Sequence, residues 1–154
     1  MAFENVGGRQ THYGPSGITD KKFGAKAAKG GKEVEVVYEF SYDDLPAADD
    51  GNEMLIRIPA GSKIVSADLI VGTAWLSGTN LTVGLQQTDG TEIDNDGLHA
   101  AILTAALTAG SLHVGAGADI GTIADASNDG VVVVTTTGTF TAGDAKLIVK
   151  YLAL

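Results

Sequence analysis

The chain contains no cysteine, which excludes disulfides and thiolate metal centres alike. It has only three prolines and a single tryptophan, and aromatic residues make up 6% of it. No N-terminal stretch joins a basic region to a continuous apolar run, since "MAFENVGGRQTHYGPSG" is too polar for a signal peptide. Nor does any charge-free apolar run reach the roughly 18 residues that a membrane span needs. These absences lead us to expect no membrane partner and synthesis in a cytoplasm. Hydrolase and zinc signatures are missing too: there is no G-x-S-x-G elbow and no H-x-x-x-H pair, and His12, His99 and His113 lie far apart. We therefore expect neither catalysis nor a cofactor.

What is abundant points to β structure. Hydrophobic residues reach 44%, too many for a disordered chain, and 21 glycines accompany plentiful threonine and valine. At 154 residues the chain is long enough for one domain with a sizeable core, plus an appended segment.

Charge is unevenly distributed. Residues 1–33 hold six basic side chains against three acidic ones, net +3; residues 34–154 hold four against sixteen, net −12. A body of that charge repels phosphate backbones, so no nucleic-acid partner is expected. The first 33 residues contain eight glycines or prolines and only isolated apolar anchors, so they cannot build a core. They read as an extended arm, residues 1–33, that docks on another protein surface. Phe3, Arg9, Tyr13, Ile18, Lys21, Lys22, Phe23, Lys26 and Lys29 are its contact residues.

Beyond the arm, "VEVVYEFSY" alternates with period two and places Val34, Val36, Tyr38, Phe40 and Tyr42 on one face. "EMLIRIPAG" is a strand stopped by Pro59 and turned at Ala60-Gly61. In "KIVSADLIVG", Val65, Ala67, Leu69 and Val71 alternate against Ser66 and Asp68. Leu81, Val83 and Leu85 share a face in "NLTVGLQQ", and Asp89-Gly90 supplies a hairpin turn. The apolar run Val131–Val134 predicts a strand covered on both faces, and "AKLIVKYLAL" closes the chain with Leu147, Val149 and Tyr151 opposite Lys150. The one expected helix is "GLHAAILTAALTAG", with Asp96 as cap and Gly110 as stop. Regular strands joined by Gly/Asp turns, with at most one short helix, predict an all-β antiparallel sandwich over 34–154.

Three stretches invite a chemical reading. "EIDNDG" imitates the first half of a calcium loop, with Glu92, Asp94 and Asp96 as candidate metal ligands. The position where such a loop needs its bidentate carboxylate is Leu103, however, so two tight turns at Asp89-Gly90 and Asp96-Gly97 are the expectation. "GAGADIG", residues 115–121, matches no phosphate-loop pattern and reads as a surface loop. Trp75 is expected in the core, with an interface or ligand anchor as the alternative.

Taken together, "MLIRIPAGSKIVSADLIVGTAW", "GTNLTVGLQQTDGTEIDNDGL" and "GTFTAGDAKLIVKYLAL" resemble the capsid decoration, or cement, proteins of tailed bacteriophages, over roughly residues 34–154. The resemblance implies a jelly-roll-like sandwich and a non-enzymatic role on the outside of the virion capsid, assembled in the host cytoplasm. It further implies that the protein braces neighbouring major capsid protein subunits, often as a dimer or trimer. It transfers no site residue, because the group has no catalytic motif. Two rival readings are a tail, neck or fibre component and a carbohydrate-binding sandwich using calcium at 89–97.

Overall fold

In β3, Lys32–Ser41, the alternation of apolar and polar residues is converted directly into two faces. Val34, Val36 and Tyr38 pack against the core and Phe40 is buried within it, while Glu35, Val37 and Glu39 face outwards. The computed structural model describes residues 3–6, 9–12, 32–45 and 51–153, with side chains placed in 32–45 and 56–153. It divides into two units, Met1–Lys32 and Glu33–Leu154.

In the first unit, β1 (Phe3–Val6) pairs antiparallel with β2 (Arg9–His12), with Val6 opposite Arg9. The intervening Gly7-Gly8 has the composition that two-residue hairpins favour. The sequence reading anticipated an extended segment and not this pairing.

In the second unit β3 is followed by a 3₁₀ turn at Tyr42–Asp44 and then by β4 (Gly51–Ile58) and β5 (Lys63–Leu76). β6 (Asn80–Gln87), β7 (Glu92–Leu103), the short β8 (Leu112–Val114), β9 (Gly130–Thr137) and β10 (Ala142–Ala153) complete it. The strands pair in nested order: β3 with β10, β4 with β9, β5 with β8 and β6 with β7. Two four-stranded sheets result, β3-β10-β5-β8 and β4-β9-β6-β7, which is the jelly-roll arrangement of an all-β sandwich. Between them lie Ile64, Ala67, Leu69, Val71, Leu147 and Val149 from one sheet, and Leu81, Val83, Leu85, Val132 and Val134 from the other. Each such valine, leucine or isoleucine side chain contributes about 1.5–3 kcal/mol by leaving water.

All four valines of Val131–Val134 are buried, as a strand covered on both faces requires. Val132 and Val134 belong to the inter-sheet core, whereas Val131 and Val133 are buried outside it. The turns at Gly61 (φ +76°) and Gly90 (φ +88°) fall where the sequence puts them, each in a conformation that glycine adopts without strain.

Three expectations need correction. The segment 97–110 is not helical: β7 runs to Leu103, and only a 3₁₀ turn at Thr104–Ala106 follows. Alanine's helix preference amounts to a few tenths of a kcal/mol per residue, and pairing of Leu81 with Ile102 and Val83 with His99 outweighs it. Gly110 (φ +79°) donates its N–H to Val71 O, so it closes a turn against β5 rather than ending a helix. Asp96-Gly97 is not a tight turn either; it lies inside β7, where the three residues Val83–Leu85 of β6 face the six residues Asp94–His99 of β7 across an irregularity. Finally, Val65 is exposed and Ile64 takes the core position, because a register shift between Lys150 and Tyr151 rotates the start of β5.

Candidate functional site

The residues singled out from sequence fall into three groups. Of the arm residues, Phe3 and Arg9 lie in the β1–β2 hairpin, while Tyr13, Ile18, Lys21, Lys22, Phe23, Lys26 and Lys29 lie outside the described residues. Two of the three histidines, His99 and His113, have structural work. His99 is buried, and its Nε2–H donates to the Ala67 carbonyl at 2.8 Å, linking β7 of one sheet to β5 of the other. Burial holds its pKa below the usual imidazole value. His113 Nε2 lies 3.1 Å from both Ala106 O and Ser111 Oγ, fastening the loop before β8.

The acidic stretch 89–97 also resolves into local structure. Asp89 Oδ1 accepts the Thr91 N–H at 2.9 Å, which lowers the Asp89 pKa, and this bond completes the β6–β7 turn. Asp94 Oδ1 accepts the Asp96 N–H at 3.2 Å. Sharing a hydrogen bond with Asp94 and feeling its charge raises the Asp96 pKa. A third carboxylate, Asp119, which no local pattern ties to this stretch, lies against Gly97 in the space a Cβ there would fill. Its pKa is raised by burial first and by Asp94 and Asp96 second. Among the described residues no three carboxylates or imidazoles converge well enough to hold a metal ion.

"GAGADIG" closes one side of the sandwich. Gly117 N–H and Asp119 N–H donate to Leu98 O and Gly97 O of β7 (3.1 and 2.8 Å), and Gly121 N–H donates to Ile64 O of β5 (2.8 Å). Gly117 packs so closely on the β7 backbone that no side chain fits. The glycines therefore serve backbone approach, not phosphate binding. Trp75 is buried between Phe40 and Phe140, with ring centroids 5.8 and 5.1 Å away, and Gly143 packs on its indole. It is a core residue and presents no exposed aromatic anchor.

The exposed apolar surface is concentrated elsewhere. Val37, Val65, Ile70, Leu112 and Val114 all project from the outer face of β3-β10-β5-β8. Register aligns them in rows: Glu39, Lys146, Ile70 and Leu112 in one, Ile148, Asp68 and Val114 in the next. Ion pairs Lys146–Glu39 (2.7 Å) and Lys150–Glu35 (3.4 Å) link β10 to β3 and flank the apolar positions. At one end of this face an open groove of about 570 Å³ is lined by Glu39, Ser41, Ile70, Gly72, Asp144 and Lys146, among others. Asp44 also borders it, its carboxylate accepting the Ser41 N–H (2.8 Å) and hydroxyl (3.0 Å), which lowers its pKa. Their signal in the sequence is the outward phase of the period-two pattern in β3, β5 and β10.

Among the described residues no helix is long and apolar enough to cross a membrane. No family model and no curated protein matches the chain. Solved structures do. A chain in the capsid of Ralstonia phage GP4 superposes with a TM-score of 0.63 at 21% identity, covering 84% of this chain and 90% of that one. A chain in the cyanophage Pam1 capsid asymmetric unit gives 0.60 at 12% identity, covering 84% and 91%. One in the acid-stable capsid of the Helicobacter pylori bacteriophage KHP30 gives 0.57 at 19% identity, covering 80% and 90%. At these identities what is shared is the fold: this jelly roll is one that chains of phage capsids adopt.

Proposed function

We propose that the chain is a non-enzymatic structural protein of a tailed-phage virion that decorates the capsid exterior and braces neighbouring major capsid protein subunits. The observation that carries this reading is the fold likeness to chains of three phage capsids, each covered over nine-tenths of its length or more. Matches of that extent mean that the whole body is shared, not one motif within a larger machine. Two features of this chain agree with the reading. His99, His113, Asp89 and Asp94 are engaged in holding the fold. The outer face of β3-β10-β5-β8 offers a flat apolar and charged surface suited to a protein neighbour.

In this proposal the first 33 residues are the arm that reaches the neighbour, and its lysines and apolar side chains supply the contacts. Single exposed ion pairs are worth about 0–1 kcal/mol, so grip comes from many contacts repeated over a symmetric shell. Trp75, in the core, offers no exposed ring for a carbohydrate-binding surface.

The test is co-sedimentation of purified protein with expanded phage heads that carry the major capsid protein alone. Saturable, stoichiometric pelleting is expected, weakened when Lys21, Lys22, Lys26 and Lys29 are replaced together by glutamate. A folded protein that stays in the supernatant at every concentration would overturn the proposal.

A further inference from the structure

β3 ends the sheet β3-β10-β5-β8, and among the described residues no strand lies beyond it. One row of its backbone N–H and C=O groups therefore points away from the sheet. Proteins blunt such edges with proline, lysine, bulges or very short strands. Over its ten residues, "KEVEVVYEFS", β3 has no proline, and its single lysine stands at the first position. Its inward row is also incompletely covered. Val34, Val36 and Tyr38 are half-buried, whereas Leu147 and Val149 of the adjacent β10 are fully buried. A further strand beside β3 would satisfy the free edge and close the core at this margin.

We propose that this strand is β3 of a second copy, paired antiparallel about a twofold axis so that two four-stranded sheets become one of eight. Charge selects the copy. β3 and β10 together carry three lysines against four carboxylates, within one charge of neutral, while residues 34–154 carry net −12. The pairs Lys146–Glu39 and Lys150–Glu35 produce that balance. A basic partner gains more from the acidic remainder of the body. A like-charged copy approaches best where its own charge is cancelled.

The register follows from the same side chains. Keeping inward residues inward requires even positions to face even ones and odd to face odd. Among such registers that pair at least five residues, centring on Glu35 or Glu39 sets a glutamate against itself. Centring on Val34, Val36 or Val37 sets Glu33 against Glu35, Glu33 against Glu39, or Glu35 against Glu39. Centring on Tyr38 opposes no two carboxylates of β3: Val37 faces Glu39, Val36 faces Phe40 and Glu35 faces Ser41. The inference goes beyond the decoration role, since it concerns how two copies pair and not what they bind.

The native chain has no cysteine, so one introduced thiol reports on one contact. Directly opposed Cα atoms of antiparallel strands lie about 4.5–5.5 Å apart, within disulfide reach. Oxidised Tyr38→Cys is therefore expected to run as a dimer on a non-reducing gel. In the same register two copies of position 36 lie four residues apart along the strand, about 13 Å, so Val36→Cys is expected to stay monomeric. Monomer alone from folded Tyr38→Cys, or dimer in equal or greater yield from Val36→Cys, would overturn the proposal.

A second measurement spares the core, because Val37 is exposed. Val37→Glu sets a carboxylate against Glu39 at two symmetric places and is expected to raise the dimer dissociation constant about threefold or more in sedimentation. Val37→Lys is expected not to raise it. Salt, by screening the repulsion between bodies, is expected to tighten the dimer of the unmodified chain. Equal weakening by both Val37 variants would overturn the proposal, as would a dimer that loosens with salt. So would an unmodified chain that stays monomeric at every concentration, the outcome if another segment or protein covers the edge. Head binding by such a monomer would leave the decoration role standing and remove this pairing.

Discussion

The two sheets of this sandwich treat their outer faces differently. In β4-β9-β6-β7, the outward valines of β9, Val131 and Val133, are buried, and β7 folds its irregular stretch back over Gly84, against which its Asp94–Asn95 backbone packs. In β3-β10-β5-β8, the outward positions are half-buried to exposed and mix apolar side chains with ion pairs. A strand buried on both sides reads as an uninterrupted run, "VVVV", whereas a strand with one free face reads as alternation, "AKLIVKY". The alternating sheet is thus the one whose outer face keeps exposed apolar side chains among the described residues.

Polar substitution at matched outward positions should break the symmetry most strongly. Val133→Asn puts an amide where no water reaches and is expected to cost about 2–4 kcal/mol. Ile70→Asn on the open sheet is expected to cost less than about 1 kcal/mol, and denaturant melts of the two variants measure the gap. Equal losses would mean that the open face is not open.

A smaller effect is expected at the closing loop. Gly117→Ala forces a Cβ into the β7 backbone and should cost about 1–3 kcal/mol, while Gly121→Ala meets no neighbour and carries only the strain of φ +81°. The ratio of the two melting shifts separates close packing from backbone conformation.

Acid should sharpen the picture further. The folded pKa of His99 is lowered, so below about pH 6.5 the unfolded chain binds a proton that the folded one resists. Stability should therefore fall as the pH drops from about 6.5 towards the folded pKa, and His99→Gln should flatten that part of the profile. Asp119 has the opposite sign. Its raised folded pKa favours the native state on acidification towards 3.8, so Asp119→Asn should stabilise the fold at neutral pH. Stability against pH for the three proteins distinguishes these trends.

The smallest change belongs to the surface pairs. Lys150→Ala separates an exposed pair at 3.4 Å and should move stability by no more than about 1 kcal/mol, with less effect at high salt.

Much of this was legible in the chain. The inward sets of β3, β6 and β10, the turn glycines at 61 and 90 and the double coverage of Val131–Val134 follow from period two and local turn chemistry. The failures share a cause. "LHAAILTAAL" carries a helical spacing and high alanine content, yet its partner β6 lies elsewhere in the chain and imposes strand geometry. Val65 and Ile64 exchange faces through a register shift that depends on β10, some eighty residues away in sequence. The groove was illegible for the same reason, since Glu39, Ile70 and Asp144 come from three strands.

By itself, then, the sequence determined the all-β class, the inward face of most strands and the separation of a basic leader from an acidic body. These depend on side-chain alternation, turn residues and charge, all of which act over a few neighbouring positions. Only the tertiary structure decided the nested pairing, the strand state of β7, the gathering of Asp94, Asp96 and Asp119, and which sheet keeps a free face. Those features depend on which distant backbone groups satisfy one another's hydrogen bonds, and that choice is settled by burying the whole core at once.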